Sequence, residues 1–175
     1  MAYKYCEETT RSQPLYYNNL SCVIKLKDVV KREGGENISD ISEVIDLDAV
    51  AQNKHPNQTP STMDVVFCIA EPKKLGKQVE YKKTGQKTTV NGRWCLVELK
   101  YDVRSLQSLK KDDIEKKING SKQLIGYDIP FYNKYYFVFS NKQLGRNILN
   151  RISGGNPQSP YIPLTTLELL QEFFD

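Results

Sequence analysis

Asp64-Val65-Val66-Phe67-Cys68-Ile69-Ala70 and Trp94-Cys95-Leu96-Val97-Glu98-Leu99-Lys100-Tyr101 decide how this chain folds. Both runs are rich in β-branched, aromatic and aliphatic residues and are apolar on both faces, as expected for strands in the middle of a covered sheet. Two features break the pattern. Asp64 opens the first run, and Glu98 and Lys100 interrupt the second. Residues two apart on a strand share a face, so Glu98 and Lys100 point the same way, with Leu96. A carboxylate and an ammonium in an apolar strand are costly unless they pair or serve a purpose. If the two strands are antiparallel neighbours, the start of the first lies beside the end of the second. Asp64 then joins Glu98 and Lys100 on one face.

Working outward, residues 71–93 carry seven cations (Lys73, Lys74, Lys77, Lys82, Lys83, Lys87 and Arg93) against two anions, so this segment is +5 in a chain of net charge +4. The basic character is therefore local, and a local patch of this kind is how a protein meets a polyanion. The segment is expected to form its own hairpin, with Val79-Glu80-Tyr81 and Thr88-Thr89-Val90 flanking Thr84-Gly85-Gln86. A solvated lysine-rich hairpin with no ligand is the plainer reading of the charge alone.

Residues 15–33 have helical spacing, ended by Gly34-Gly35, and residues 38–52 are ambiguous between helix and strand. Residues 53–62 are a loop by composition. Residues 105–125 read as a helix with Ser105 as N-cap, 135–140 as a third strand, 143–152 as a helix and 161–164 as a short extended piece. Thr165-x-x-Glu168 is a capping box opening a final helix. The whole is a mixed α/β fold, with residues 1–175 as one domain.

Other classes fall away. The 175 residues are 39% hydrophobic and 26% charged, with eleven tyrosines, which argues against global disorder. There is no run of eighteen apolar residues for a membrane span, and Met1–Glu8 lacks the apolar segment of a secretory signal. Cys6, Cys22, Cys68 and Cys95 form no C-x-x-C pair, so a cytoplasmic protein with free thiols is expected.

Two carboxylates converging beside a lysine make a hard-oxygen site suited to Mg²⁺ or Mn²⁺. An acidic residue opening one core strand, followed by E-x-K near the end of the next, resembles the PD-(D/E)XK nuclease superfamily and its restriction-endonuclease-like fold. The order of elements also fits that family's α-β-β-β-α-β core, a central mixed sheet flanked by helices, if residues 38–52 supply the first strand. The basic hairpin is then an insertion. Gln123-Leu124-Ile125-Gly126-Tyr127 matches the Q-x-x-x-Y motif of the RecB-like branch. The resemblance covers roughly residues 15–140.

What it implies is specific. Asp64, Glu98 and the Leu99 carbonyl would hold the metal, Lys100 would activate water, and Gln123 and Tyr127 would support them. The activity would be metal-dependent hydrolysis of phosphodiester bonds in DNA, with RNA not ruled out, and the seven cations of 71–93 would hold the backbone. A homodimer is the common assembly among such nucleases. The alternative is the same fold without turnover, a module binding nucleic acid or protein. Met63 stands where the motif has proline, and Glu98 lies 34 positions after Asp64. The extra ligand that relatives draw from their first helix has only His55, in a predicted loop, or Glu43 to supply it. Asp46-x-Asp48 reads first as a solvated turn or strand face, with a metal site as its rival. Asp102 could continue the Glu98 face, and the aromatics from Phe131 to Tyr136 could stack on bases.

Overall fold

The computed structural model describes residues 2–71, 73–75, 78–80 and 92–175. The chain opens with Lys4–Tyr5 (β1), Glu7–Arg11 (α1), Pro14–Tyr17 (α2), Val23–Lys25 (β2), Leu26–Arg32 (α3), Glu43–Asp46 (β3) and Leu47–Lys54 (α4). The two decisive strands follow, Val65–Ala70 (β4) and Arg93–Lys100 (β7), with Lys73–Leu75 (β5) and Gln78–Glu80 (β6) between them. The rest is Lys111–Ile125 (α5), Phe131–Phe139 (β8), Lys142–Ile152 (α6), Tyr161–Leu164 (β9) and Thr166–Leu169 (α7), the last running into one π-helical turn at Leu170–Phe174.

The protein is mixed α/β, built on a seven-stranded mixed sheet in the order β2-β3-β4-β7-β8-β9, with β1 paired to the far end of β4. The pairs β2/β3, β3/β4 and β4/β7 are antiparallel, and β7/β8 and β8/β9 are parallel. The parallel step needs a crossover, which α5 provides. Helices cover both faces. One layer packs Leu47 and Val50 of α4, Ile114 and Ile118 of α5 and Ile148 of α6 onto Val66, Leu96 and Phe137. The other packs Leu26 and Val29 of α3 and Leu169 at the end of α7 onto Val65, Phe67 and Val97. Alternate residues of β4 thus feed opposite cores, which is why that run is apolar throughout.

The antiparallel pairing of β4 with β7 is as expected, in the register Val65↔Val97 and Val66↔Leu96. The predicted helix over 15–33 is broken into pieces. Its start falls in α2 and residues 26–32 form α3, with the helix interrupted between them because Val23 and Ile24 pair with Ile45 and Val44 instead. Their β-branched side chains gain more on a sheet edge than in a helix. The ambiguous 38–52 stretch is both things in turn. It forms β3, and then α4 starts with the Asp46 carboxylate accepting the Ala49 N–H at 3.2 Å. Helix α5 begins at Lys111 rather than after Ser105, since Ser108 Oγ accepts the Ser105 N–H at 3.2 Å and closes a turn first. The capping box at Thr165 and Glu168 is formed.

In the basic segment, β5 and β6 pair in the register Lys73↔Glu80. Val79 and Glu80 therefore pair back onto β5. Tyr81 and the expected partner arm at 84–90 lie outside the described residues. All four cysteines are buried free thiols.

Helix α5 lies unusually close to the segment leading into β4. A Cβ added at Gly120 would fall 2.0 Å from the Ser61 carbonyl oxygen. One residue on, the Met63 N–H donates to Ser121 Oγ at 2.8 Å, and the Ser121 hydroxyl donates to the Lys117 carbonyl at 2.7 Å. Replacing a helix-interior glycine by alanine ordinarily stabilises by up to about 1 kcal/mol. Gly120→Ala is expected to reverse that sign and destabilise by about 1–3 kcal/mol, the cost of overpacking, as read from urea unfolding midpoints.

Candidate functional site

The β4/β7 register, continued one step beyond Val65↔Val97, sets Asp64 across from Glu98. Contact follows, since Asp64 Oδ2 accepts the Leu99 N–H at 2.6 Å. A strand residue's N–H and C=O leave by the same edge, so the Leu99 carbonyl also faces the Asp64 side. Lys100 Nζ lies 3.0 Å from Glu98 Oε1, as the shared strand face requires. Asp64, Glu98 and Lys100, brought together by strand parity, and Leu99, added by the resemblance, thus lie side by side.

A further residue joins them. Lys117 of α5 also contacts Glu98 Oε1 through its ammonium. Ile114, Ile118 and Ser121 are the buried stripe of α5. Lys117 falls between them at helical spacing and is therefore aimed at the sheet. Its signal in the sequence is a cation on the core-facing stripe of an otherwise solvated helix. Beyond it, Asp48 in the first turn of α4 accepts the Thr62 hydroxyl at 2.7 Å.

Burial makes this a tense electrostatic site. Glu98 is fully buried and Asp64 is 6% exposed. Asp64's pKa rises from 3.8 to about 7, first because its carboxylate has lost water and then because Glu98 is close. Asp48 is also raised, by desolvation, with Glu98 contributing and the Thr62 hydrogen bond opposing. Desolvation pulls Lys117 down, but contact with Glu98 and the fields of Asp64 and Asp48 outweigh it, so its pKa is raised overall. Glu98 Oε2 is buried and has no hydrogen-bond partner among the described residues. A buried acceptor left unmade is expensive, and such an atom fits the coordination sphere of a cation.

Glu98, Lys100 and Lys117 line a cavity of about 230 Å³ with Ser61, Ser108 and Asp113. Its volume accommodates a phosphate group, and its walls combine the apolar Leu109, Ile114 and Phe137 with amines and hydroxyls. Among the described residues, no three histidine, cysteine, aspartate or glutamate side chains gather as a metal cage. Two carboxylates and a carbonyl remain a fitting set for a small hard ion, which usually keeps several waters.

The other predicted residues lie elsewhere. Gln123 lines a separate cavity of about 210 Å³ with His55, Gln58 and Gly120. Tyr127 is 72% exposed and edge-packed on Phe131, because α5 ends at Ile125 and Gly126 turns the chain at φ +82°. Glu43 is engaged by Arg11 and by the Tyr16 hydroxyl. Asp46 caps α4 and pairs with Arg32. Asp102 is exposed in the turn after β7. Tyr132 stacks on Tyr136, while Lys122 lies over Phe131 and Tyr135. Of the basic residues, Lys73 and Lys74 sit in β5. Arg93 opens β7 and its guanidinium donates to the Gly92 carbonyl at 3.1 Å. Lys77, Lys82, Lys83 and Lys87 lie outside the described residues. No helix among the described residues is long and apolar enough to cross a membrane.

No protein-family model matches this chain, and no significant match appears among curated proteins or solved structures.

The raised pKa of Asp64 has a direction that stability can read. A carboxyl moved from 3.8 to about 7 binds its proton more tightly folded than unfolded. Its contribution is therefore fully present below pH 4 and is lost as pH rises through 7. Asp64→Asn removes that loss and can still accept the Leu99 N–H. With chelator present, this variant is expected to match the wild type near pH 4 and to exceed it at pH 8. Each tenfold change in proton affinity is worth about 1.4 kcal/mol, so the gain at pH 8 is on the order of a few kcal/mol, as seen by denaturant titration.

Proposed function

We propose that this protein is a divalent-metal-dependent nuclease of the PD-(D/E)XK type, hydrolysing phosphodiester bonds in DNA, with RNA an open second substrate. The observation that carries this reading is the meeting of Asp64 and Glu98 beside Lys100, with Glu98 on the wall of a cavity lined by Lys100, Lys116 and Lys117. The element order supports it as well. Taken as α3-β3-β4-β7-α5-β8, with α4 and the β5/β6 hairpin as insertions, the order supports reading the sheet as an α-β-β-β-α-β core of the restriction-endonuclease-like kind. That core includes the antiparallel run of three strands and the crossover to a parallel fourth.

In this reading Asp64, Glu98 and the Leu99 carbonyl hold Mg²⁺ or Mn²⁺. An ion held there would supply Lewis-acid chemistry, polarising a phosphoryl oxygen and making water more acidic. The chain's own residues do the rest. Glu98 Oε1 anchors the Lys100 ammonium, which points its remaining protons into the cavity. There Lys100 orients the attacking water and offsets charge developing on the phosphate. Ser61 and Ser108 on the cavity wall supply hydroxyls for non-bridging oxygens. The chain leaves β4 at its far end, about 20 Å along the strand from Asp64 at ~3.3 Å per residue. The lysines of residues 71–93 would hold backbone away from the scissile bond, without reading sequence.

The rival reading is a silent module of the same fold. It draws on the placement of Gln123 and Tyr127 away from the cavity, and on the burial of Asp64. One assay separates them. Wild-type protein incubated with plasmid, linear duplex, single-stranded DNA and RNA, with Mn²⁺ or with chelator, is expected to cleave at least one substrate only with the metal. Asp64→Ala, Glu98→Ala and Lys100→Ala are each expected to lower the rate by ~100-fold or more while circular dichroism stays native. Cleavage persisting in all three variants overturns the assignment. Salt-dependent binding without cleavage selects the silent module.

A further inference from the structure

Glu98 carries two ammonium groups on one oxygen. Lys100 Nζ is 3.0 Å from Oε1 and Lys117 contacts the same atom, while Oε2 has no hydrogen-bond partner among the described residues. A single lysine would balance a single carboxylate, and Lys100 already lies on the same strand face. The second ammonium arrives from a different element. Helix α5 brings it, and the Gly120 approach and the Ser121 hydrogen bond pin that helix to the chain entering Asp64. Lys117 also feels Asp64 and Asp48, so it is the cation that all three carboxylates share. Its side chain keeps 26% exposure and lines the adjoining cavity, so its long stem has somewhere to go.

We propose that Lys117 is a built-in stand-in for the metal ion: it neutralises the carboxylate cluster when no ion is held, and on metal loading its amine swings into the cavity to meet the substrate phosphate. This rests on the metal-site reading above. A divalent ion at Asp64 and Glu98 would face two ammoniums at short range in a partly dry pocket, where like charges repel strongly. Both ammoniums are held by the same oxygen, Glu98 Oε1. They differ in origin: Lys100 rises from the strand that carries Glu98, whereas Lys117 reaches across from α5, and it is Lys117 that the proposal moves. The exchange conserves a positive charge at Glu98 in both states, which is what a fully buried carboxylate requires.

The test is Mn²⁺ binding by metal-free protein, followed by calorimetry and by the loss of the free-ion paramagnetic signal, in wild type, Lys117→Gln, Lys117→Met and Glu98→Gln. Removing the competing ammonium is expected to tighten Mn²⁺ binding on the order of tenfold or more. In Glu98→Gln, site binding is expected to vanish. Unchanged or weaker binding in both Lys117 variants overturns the exchange and makes Lys117 a fixed clamp on Glu98. Absence of any Glu98-dependent binding in wild type and Lys117 variants alike overturns the metal-site reading itself. Should the variants fold poorly, wild-type protein gives the answer. Amine labelling read by peptide mass spectrometry is expected to rise at Lys117 when Mn²⁺ is added, and unchanged labelling of Lys117 in protein that binds Mn²⁺ overturns the exchange.

Discussion

A carboxylate at position 98 is taken wholly out of water in the middle of a sheet, and much of the surrounding structure answers to that. Burying an ionised group without partners costs far more than any single side-chain contact returns. Glu98 therefore needs cations within reach. The strand supplies Lys100 from two residues away, and α5 supplies Lys117 from across the layer. For Lys117 to arrive, α5 must run close to the sheet, and Gly120 permits the approach by having no side chain to collide with Ser61. The cavity in front of Glu98 is bounded by the same helix. A helix placed by apolar packing alone, through Ile114 and Ile118, would have no reason to aim an ammonium inward.

The antiparallel register of β4 and β7 turns a long sequence separation into a contact. The register is fixed by apolar residues that alternate between two cores, and a slip of one position would drive Val66 and Val65 into each other's layer. Because that constraint lies in the strands, the loop that joins them is free to vary in length. The basic segment can be inserted at the far end without moving Asp64 relative to Leu99. Site geometry and surface charge are thus carried by separate parts of one ribbon, which lets either change without the other.

Legibility follows the range of the forces involved. Strands 64–70 and 94–101 are readable because both faces are buried, and the sharing of one face by Glu98 and Lys100 follows from the two-residue period alone. The capping box at Thr165 is readable because it is local. The 15–33 region misleads because Val23 and Ile24 fit a helical stripe as well as a strand. The choice is made by Ile45 and Val44, which local spacing cannot see. Gln123 and Tyr127 match a motif, yet Gly126 ends the helix between them and sends the tyrosine outward. Lys117 is hidden for the opposite reason. A lysine among many on a charged helix looks solvated until the buried stripe at 114, 118 and 121 is laid out beside it.

Charge balance ties these residues to the chemistry proposed for them. Asp48, Asp64 and Glu98 bring three negative charges when all are ionised, and Lys100 and Lys117 return two. The cluster by itself is one positive charge short, and the raised pKa of Asp64 is how the protein meets that shortfall near neutrality, by keeping a proton. A divalent ion in place of the proton would instead leave one positive charge in excess. One phosphodiester, with its single negative charge, would cancel it. The same five side chains therefore approach neutrality in two ways, protonated and empty or loaded with both ion and substrate. Ion without substrate is the unbalanced combination. The ion and the phosphate would then reinforce each other's binding, and the second lysine on Glu98, superfluous for a simple ion pair, is the group that makes the loaded state come out even.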